Sequence, residues 1–523
     1  MTPIELSILI SRVESICQEM GVVLRRAAFS PNIKDRLDFS CALFDSKGEL
    51  FAQAAHIPVH LGSMAYAMSD IVADLDWRPG DVLALNDPFL GGTHLPDVTL
   101  ISPLFYQRKL IAFVANRAHH ANIGAKSPGS MPISHSLEEE GLVIPPTFLV
   151  RAGKPVREEM DKLAGIDSNE DVSQGTVIGD FSAQMSANRV GLQRLASLLE
   201  VDGQESFRSG IGEINDYGER LAKYSLSTIP AGIYSFADVM DDDGCGNEDI
   251  VVATQMEVSA DSVALDFSGS SRQVQGNVNC PISVTAAAVF YVFRCLLPEY
   301  APACAGTFRC ISIHAPEGSL INARRPAAVA AGNVETSMRI VDVVLGALQQ
   351  AIPDAIPAAS QGTMNNVAMG SRGVAGFWDY YETVAGGCGG HPLGPGLAAV
   401  QSHMTNTLNT PIESVEMHYP LRIRRYALRE GSGGAGLHRG GDGLIREFEF
   451  LTPTEVTLLS ERRTHAPWGL NGGEPGQVGK NLLNGQPLPG KCQFTAQRAD
   501  RLTIISPGGG GWSPRQSANR TSM

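Results

Sequence analysis

The stretch 91–120 reads GGTHLPDVTLISPLFYQRKLIAFVANRAHH, and its reading decides the fold class. Its first seven residues, Gly91-Gly92-Thr93-His94-Leu95-Pro96-Asp97, form a loop that leads straight into a strand-like run at 98–105. A polar Tyr106-Gln107-Arg108-Lys109 turn follows, then a second strand-like run at 110–118. β-branched and aromatic residues bounded by turn residues predict a hairpin. If Tyr106 pairs with Lys109, Asp97 comes opposite Ala118, whereas a three-residue turn sets it opposite His119. Either way Ala118-His119-His120 returns beside His94 and Asp97. Turn length decides which His shares a face with Asp97, because a one-residue slip turns every side chain over.

Outward from this hairpin, strands keep arriving in adjacent pairs. Runs at 40–44 and 49–53 flank Asp45-Ser46-Lys47-Gly48, and Val82–Leu85 runs into Asn86-Asp87-Pro88. A further two or three strands fall between 230 and 268, around Asp241-Asp242-Asp243-Gly244. Helices are predicted at 4–24, where apolar residues recur with a 3.6 period behind a Thr2-Pro3 cap, and at 168–200, 281–297 and 334–351. Strands in hairpins, not alternating with helices, predict an α+β fold of mixed and antiparallel sheets with packed helices. After residue 420 the chain is Gly-rich and strand-like. The expected organisation is a metal-bearing region at 1–200, a central α+β region at 201–430, a Gly-rich β-type region at 431–512 and a disordered tail at 513–523.

Bulk properties exclude several function classes. With 41 basic and 55 acidic side chains the formal charge is −14, which disfavours nucleic acid and anionic membrane as partners. No apolar stretch reaches the roughly 18–20 residues that span a bilayer. The N-terminus carries Glu5, Arg12 and Glu14 inside its apolar pattern, unlike a secretory signal. Nine Cys without a CxxC pair read as free thiols, so a cytoplasmic location is expected.

The chemistry concentrates around the hairpin. Two imidazoles and a carboxylate suit Zn, Mn or Fe(II) with positions left for water or substrate. Asp38, just ahead of the 40–53 hairpin, adds a fourth ligand if that hairpin packs alongside. Taken singly, each of these His would serve equally well as a donor to a loop carbonyl; it is their convergence with an Asp that points to a metal. Other motifs fail their context. Gly431-Ser432-Gly433-Gly434-Ala435-Gly436 fits a dinucleotide fingerprint but leads to more strand and no helix. Gly485-Gln486-Pro487-Leu488-Pro489-Gly490-Lys491 approaches a phosphate-binding loop, but Cys492 stands where Ser or Thr must follow, and two Pro remove N–H donors. Neither a Rossmann nor a P-loop domain is expected. Gly508-Gly509-Gly510-Gly511 invites close approach of a backbone or a ligand, and Asn333 stands where a helix opens; Gly508, Gly509, Gly510 and Asn333 are the candidate substrate contacts.

The run from Asn86 to Asp97 resembles the signature of the hydantoinase B/5-oxoprolinase family. Further blocks agree in order, among them Asn116-Arg117-Ala118-His119-His120, Pro128-Gly129-Ser130-Met131-Pro132, Glu140-Gly141-Leu142, Tyr381-Glu382-Thr383, His403-Met404-Thr405-Asn406-Thr407 and Pro507 to Gly511. One departure is Ile133-Ser134-His135-Ser136, where relatives more often carry a Pro-Asp-Ser/Thr type run. The resemblance implies an ATP-dependent hydrolase of cyclic amides (hydantoin, oxoproline, lactam), with ketone carboxylase subunits as related alternatives and a non-catalytic scaffold as the contrasting reading. It implies a divalent metal on Asp38, His94, Asp97 and His119, with His120 the alternative to His119, and so favours the three-residue turn. ATP-Mg is then bound by a separate A-type ATPase subunit in a hetero-oligomer, expected as α2β2. His120 and Glu140 are the candidate proton shuttles for ring opening.

Overall fold

The computed structural model describes residues 1–54, 56–167, 176–373 and 376–515. The expected α+β architecture is present as four sheets with helices packed between and around them. The first sheet is built from β1 (Phe39–Asp45), β2 (Leu50–Gln53), β3 (Val82–Leu85), β4 (Asp97–Tyr106), β5 (Lys109–His119), β6 (Thr147–Arg151) and β7 (Lys154–Pro155), ordered β2-β1-β5-β4-β3-β6-β7. All its neighbours are antiparallel.

Both faces of this sheet are buried, and the period-two alternation shows it. Cys41, Leu43, Ala112 and Val114 pack on helix Pro3–Ala27 and on Thr176–Asp202. Ala42, Phe44, Phe113 and Ala115 pack instead on helix Pro58–Ala73. The Pro3–Ala27 helix starts on a reciprocal cap as expected: Glu5 N donates to Thr2 Oγ1 at 3.3 Å and Thr2 N donates to Glu5 Oε2 at 2.7 Å. The first part of the helix expected at 168–200 lies outside the described residues; the described helix begins at Thr176.

The second sheet holds β8 (Gly232–Asp242), β9 (Glu248–Val258), β10 (Val263–Asp266) and β11 (Ile311–His314), and it packs on helices Ile282–Cys295 and Ser337–Ala351. Two C-terminal sheets enclose a third core. One pairs β12 (Asn366–Gly373) and β13 (Gly376–Thr383) with β16 (Thr454–Leu459) and β19 (Lys491–Ala496). The other is β14 (Leu421–Arg429), β15 (Gly443–Phe450), β20 (Arg501–Ile505), β17 (Lys480–Leu483) and β18 (Gln486–Leu488). The division expected at 430/431 therefore falls between two paired strands, β14 and β15, and the β-type part reaches back to Asn366. The phosphate-loop-like Gly485–Lys491 segment is the β17–β18 turn and the entry to β19.

The glycine run at 508–511 is a packing element. A Cβ on Gly508, Gly509 or Gly510 would sit 2.1, 2.0 and 2.0 Å from the carbonyl oxygens of Ser432, Cys388 and Trp468. Their N–H groups donate to Gln477, Gly441 and Ala359 oxygens, each on a different neighbouring segment. These three glycines, expected as substrate contacts, are instead spent on backbone-to-backbone contact, which no side chain would permit. Ser513 is still held, donating to Leu470 O and accepting from Leu437 N, so the expected tail does not begin there; 516–523 lies outside the described residues. Among the described residues no helix is long and apolar enough to cross a membrane, and all nine cysteines are free thiols.

Candidate metal centre and active site

The β4–β5 hairpin combines the two alternatives the sequence left open. Its turn has two residues, Gln107 and Arg108, both left-handed at φ 48° and 65°, and Tyr106 pairs with Lys109. One step further in, the register shifts: Phe105 faces Leu110 but Leu104 faces Ala112, leaving Ile111 as an extra residue. This bulge, not a three-residue turn, sets Asp97 opposite His119. Both then project from the face covered by helix Pro58–Ala73, together with Arg117, which donates to Thr99 Oγ1 and to Ser63 Oγ on that helix.

Asp97 is the hub. Its Oδ2 accepts from Thr93 Oγ1 at 2.7 Å and from Asn333 Nδ2 at 3.2 Å, and lies 3.2 Å from His60 Nε2. Its Oδ1 lies 3.2 Å from both His94 Nε2 and His119 Nδ1 but takes part in no hydrogen bond. His94 Nδ1 faces the Ala330 carbonyl at 3.2 Å, so that nitrogen carries a proton and Nε2 is left bare towards Asp97. Ligand atoms of His94, Asp97 and His119 all fall within 4.8 Å of one another, and all three residues are buried.

A small cavity of about 20 Å³ lies beside them, lined by Asp38, His60, Asp97, His119, Asn333 and Tyr381 among others. Roughly 10–15 Å³ suffices for one water-sized occupant. Buried polar atoms without hydrogen bonds, a mixed imidazole–carboxylate donor set and a space of ionic size together fit a divalent metal. Asp38 reaches the same cavity because β1 pairs with β5, as the sequence required; its carbonyl accepts from His119 N–H at 3.0 Å. The Asp38 carboxylate lies 3.9 Å from His60 Nε2 and 3.7 Å from Arg36.

Burial alone would raise Asp97, yet His94 and His60 outweigh it and hold the carboxyl well below its usual range. Burial likewise opposes charge on His94, but Asp97 more than offsets it and raises that imidazole. At His119 burial wins and the pKa is lowered, leaving a neutral ring suited to ligation. A buried carboxylate of this kind needs a cation beside it, which a protonated His94 or a metal ion supplies.

Some candidates are not brought here. His120 points to the opposite face, with Nε2 2.9 Å from Gln184 Oε1 and its ring against Phe181. Glu140 stands behind His94: its Oε1 accepts from Ser134 Oγ, Val329 N and Ala330 N, so it holds the segment whose carbonyl fixes His94. Burial pushes Glu140 up to about 7, but the residue does not line the cavity. Asn333 does, from a buried π-turn (Gly332–Thr336) instead of an exposed helix start.

Three residues went unnoticed in the sequence. His60, on the first turn of Pro58–Ala73, bridges Asp97 and Asp38. Tyr381 stacks on His119 at 4.8 Å, and the Arg36 guanidinium lies 4.8 Å from the centre of the Tyr381 ring. Their partners are distant in sequence, so no local spacing marks them; Tyr381 alone stood in a block shared with the family.

Comparison with known proteins gives concordant likenesses. The family model described as Hydantoinase B/oxoprolinase matches residues 2–515. The 5-oxoprolinase 1 of Arabidopsis thaliana is 39% identical over 97% of this chain, which spans only 42% of that protein. The putative B-type subunit of a D-/L-hydantoinase from Pseudomonas sp. (strain NS671) is 30% identical over 98% of this chain and 90% of its own length. The solved structure of an ATP-dependent caprolactamase from Pseudomonas jessenii superposes with a TM-score of 0.90 at 27% identity, covering 99% and 93% of the two chains.

Proposed function

The chain belongs to the hydantoinase B/oxoprolinase family, and from that premise we propose that it carries the ring-opening site of an ATP-dependent cyclic-amide hydrolase. We propose further that ATP-Mg is handled by a separate A-type ATPase chain. The near-full-length likeness to a protein named as the B component of a hydantoinase supports that division of labour, as do the two glycine-rich motifs here that form turns and not phosphate cradles. The observation that carries the reading is the pair of buried, non-hydrogen-bonded atoms His94 Nε2 and Asp97 Oδ1, 3.2 Å apart, with Asp97 and His119 lining a cavity of ionic size.

In this reading His94, Asp97 and His119 hold a divalent ion of the Zn, Mn or Fe(II) kind, with Asp38 as fourth ligand. Such an ion would supply Lewis acidity and lower the pKa of a nearby water. The chain's own groups do the rest. Thr93, Asn333 and His60 fix the Asp97 carboxylate, the Ala330 carbonyl fixes the His94 tautomer, and Tyr381 holds the His119 ring. His60, between Asp97 and Asp38, is placed to move a proton towards the departing ring nitrogen, the role expected of His120 or Glu140. ATP enters because an amide carbonyl is a poor electrophile: phosphorylation of its oxygen makes C–N cleavage by water favourable, releasing ADP, phosphate and the open-chain amino acid.

Co-purification with the ATPase partner, followed by an ADP-release screen, tests this. Hydantoins, 5-oxoproline or lactams should release ADP in step with ring opening. ADP release only with a ketone and bicarbonate, yielding a carboxylated ketone, would overturn the hydrolase reading.

A further inference from the structure

A cavity of about 20 Å³ admits an ion or a water but no ring, so any cyclic amide must reach Asp97 and His119 through a wall that opens. A far larger cleft, about 1010 Å³, lies between helices Pro3–Ala27, Gln204–Leu226 and Ile282–Cys295. The same two segments line both spaces. His56, Pro58 and Gly62 face the cleft, while Ile57, Val59 and His60 line the cavity. Asn406 faces the cleft, while Met404 and Thr405 line the cavity. Asn406 Nδ2 donates to His56 O at 3.1 Å, and Val59 N donates to Met404 O at 3.4 Å. One layer of chain, joined by these two bonds, separates cleft from cavity.

We infer that this cleft is the binding site and entry port for the cyclic amide, and that the layer formed by 56–60 and 404–406 parts to pass the ring to Asp97 and His119. The inference rests on the hydrolase reading above and names where that substrate is recognised. The cleft is also lined by Glu14, Glu213, Arg220, Arg294 and Glu299, but the side chains His56 and Asn406 on the layer itself, with Gln53 beside them, are uncharged and two-sided. His56 Nδ1 accepts from Cys41 N–H at 3.1 Å, so its proton sits on Nε2 as a donor. Gln53 Oε1 is buried and accepts no hydrogen bond. A cyclic amide is locked cis and shows its C=O and N–H on one edge, which such a donor and acceptor match. An open-chain trans amide does not present both on one edge.

The test uses the complex with its ATPase chain. Gln18 is exposed and lines the cleft one turn before Gly21, which abuts the His56 ring, so Gln18→Trp fills the port without disturbing packing. Gln18→Trp and Gln53→Ala should each raise KM for the cyclic amide by about tenfold and change kcat by less than about threefold, with metal content and Tm as in the wild type. Asn406→Ala, which unties the layer, should speed removal of the bound ion by a small chelator by about fivefold or more, the loss of one hydrogen bond. Wild-type turnover with KM unchanged in both cleft variants, or an unchanged extraction rate in Asn406→Ala, overturns the inference and leaves the hydrolase reading intact. Failure of the wild type to open any cyclic amide overturns both.

Discussion

Asp97 and His119 face each other across the β4–β5 hairpin because one extra residue, Ile111, sits between a two-residue turn and the site. Were Ile111 paired with Leu104 instead of bulged out, Asp97 would face Ala118, with His119 turned to the other side of the sheet. Deletion of Ile111 closes the bulge but leaves Leu104 opposite Ala112 and Asp97 opposite His119. Metal content should therefore be retained, as read by metal analysis beside circular dichroism; loss of metal in a folded variant would contradict this register. The turn itself is separable. Gln107 and Arg108 hold left-handed backbone, so Gln107→Asn with Arg108→Gly should stabilise the chain by about 1 kcal/mol in denaturant titration without altering metal content.

The two adjacent histidines should behave differently. His119→Asn removes a ring that faces Asp97 at 3.2 Å and stacks on Tyr381, so bound metal and ATP-dependent turnover should both be lost. His120→Asn loses packing on Phe181 and a contact to Gln184, so about 1–3 kcal/mol of stability should go while metal content stays. Equal metal loss in both variants would contradict the assigned faces.

Stability should fall as pH rises from about 4.5 to about 8 and level off above that. Burial pushes Glu140 up to about 7, and burial with the neighbouring Glu461 charge pushes Glu335 up to about 8, against an ordinary 4.5. Above pH 4.5 the unfolded chain has released these protons while the folded chain keeps them. Their contribution is thus whole below 4.5 and is lost as pH rises through 7 and 8, on the order of a few kcal/mol. Urea titrations from pH 5 to 9 should show the loss, and Glu140→Gln or Glu335→Gln should flatten it.

Gly509→Ala tests whether the glycine run binds substrate or packs backbone. The added Cβ would sit 2.0 Å from Cys388 O, so Tm should fall sharply or the chain should fail to fold. A well-folded variant with raised KM and normal Tm would restore a substrate role.

The sequence spoke clearly where interactions are local. The Thr2–Glu5 cap, the paired strands and the tight turn at Gly485 follow from residues a few positions apart. The cluster of His94, Asp97 and His119 was legible in part: the short hairpin returns 118–120 to Asp97, while the choice of His119 over His120 and the inclusion of Asp38 came from the family resemblance. His60, Tyr381 and Arg36 were not, since helix packing and a sheet hundreds of residues away deliver them. The bulge at Ile111 left no mark either, as its apolar side chain fits either register. Glycine clustering announced close approach, but only the fold says that the neighbour is backbone.

Whether His94, Asp97 and His119 hold a metal on which ATP-dependent ring opening depends can be read from one complex. Metal quantification and ADP-coupled hydrolysis would be measured together, wild type against His94→Ala. A stoichiometric divalent metal and turnover are expected in the wild type, with loss of both in the variant. A His94→Ala complex that keeps its metal and its hydrolysis would contradict the assignment.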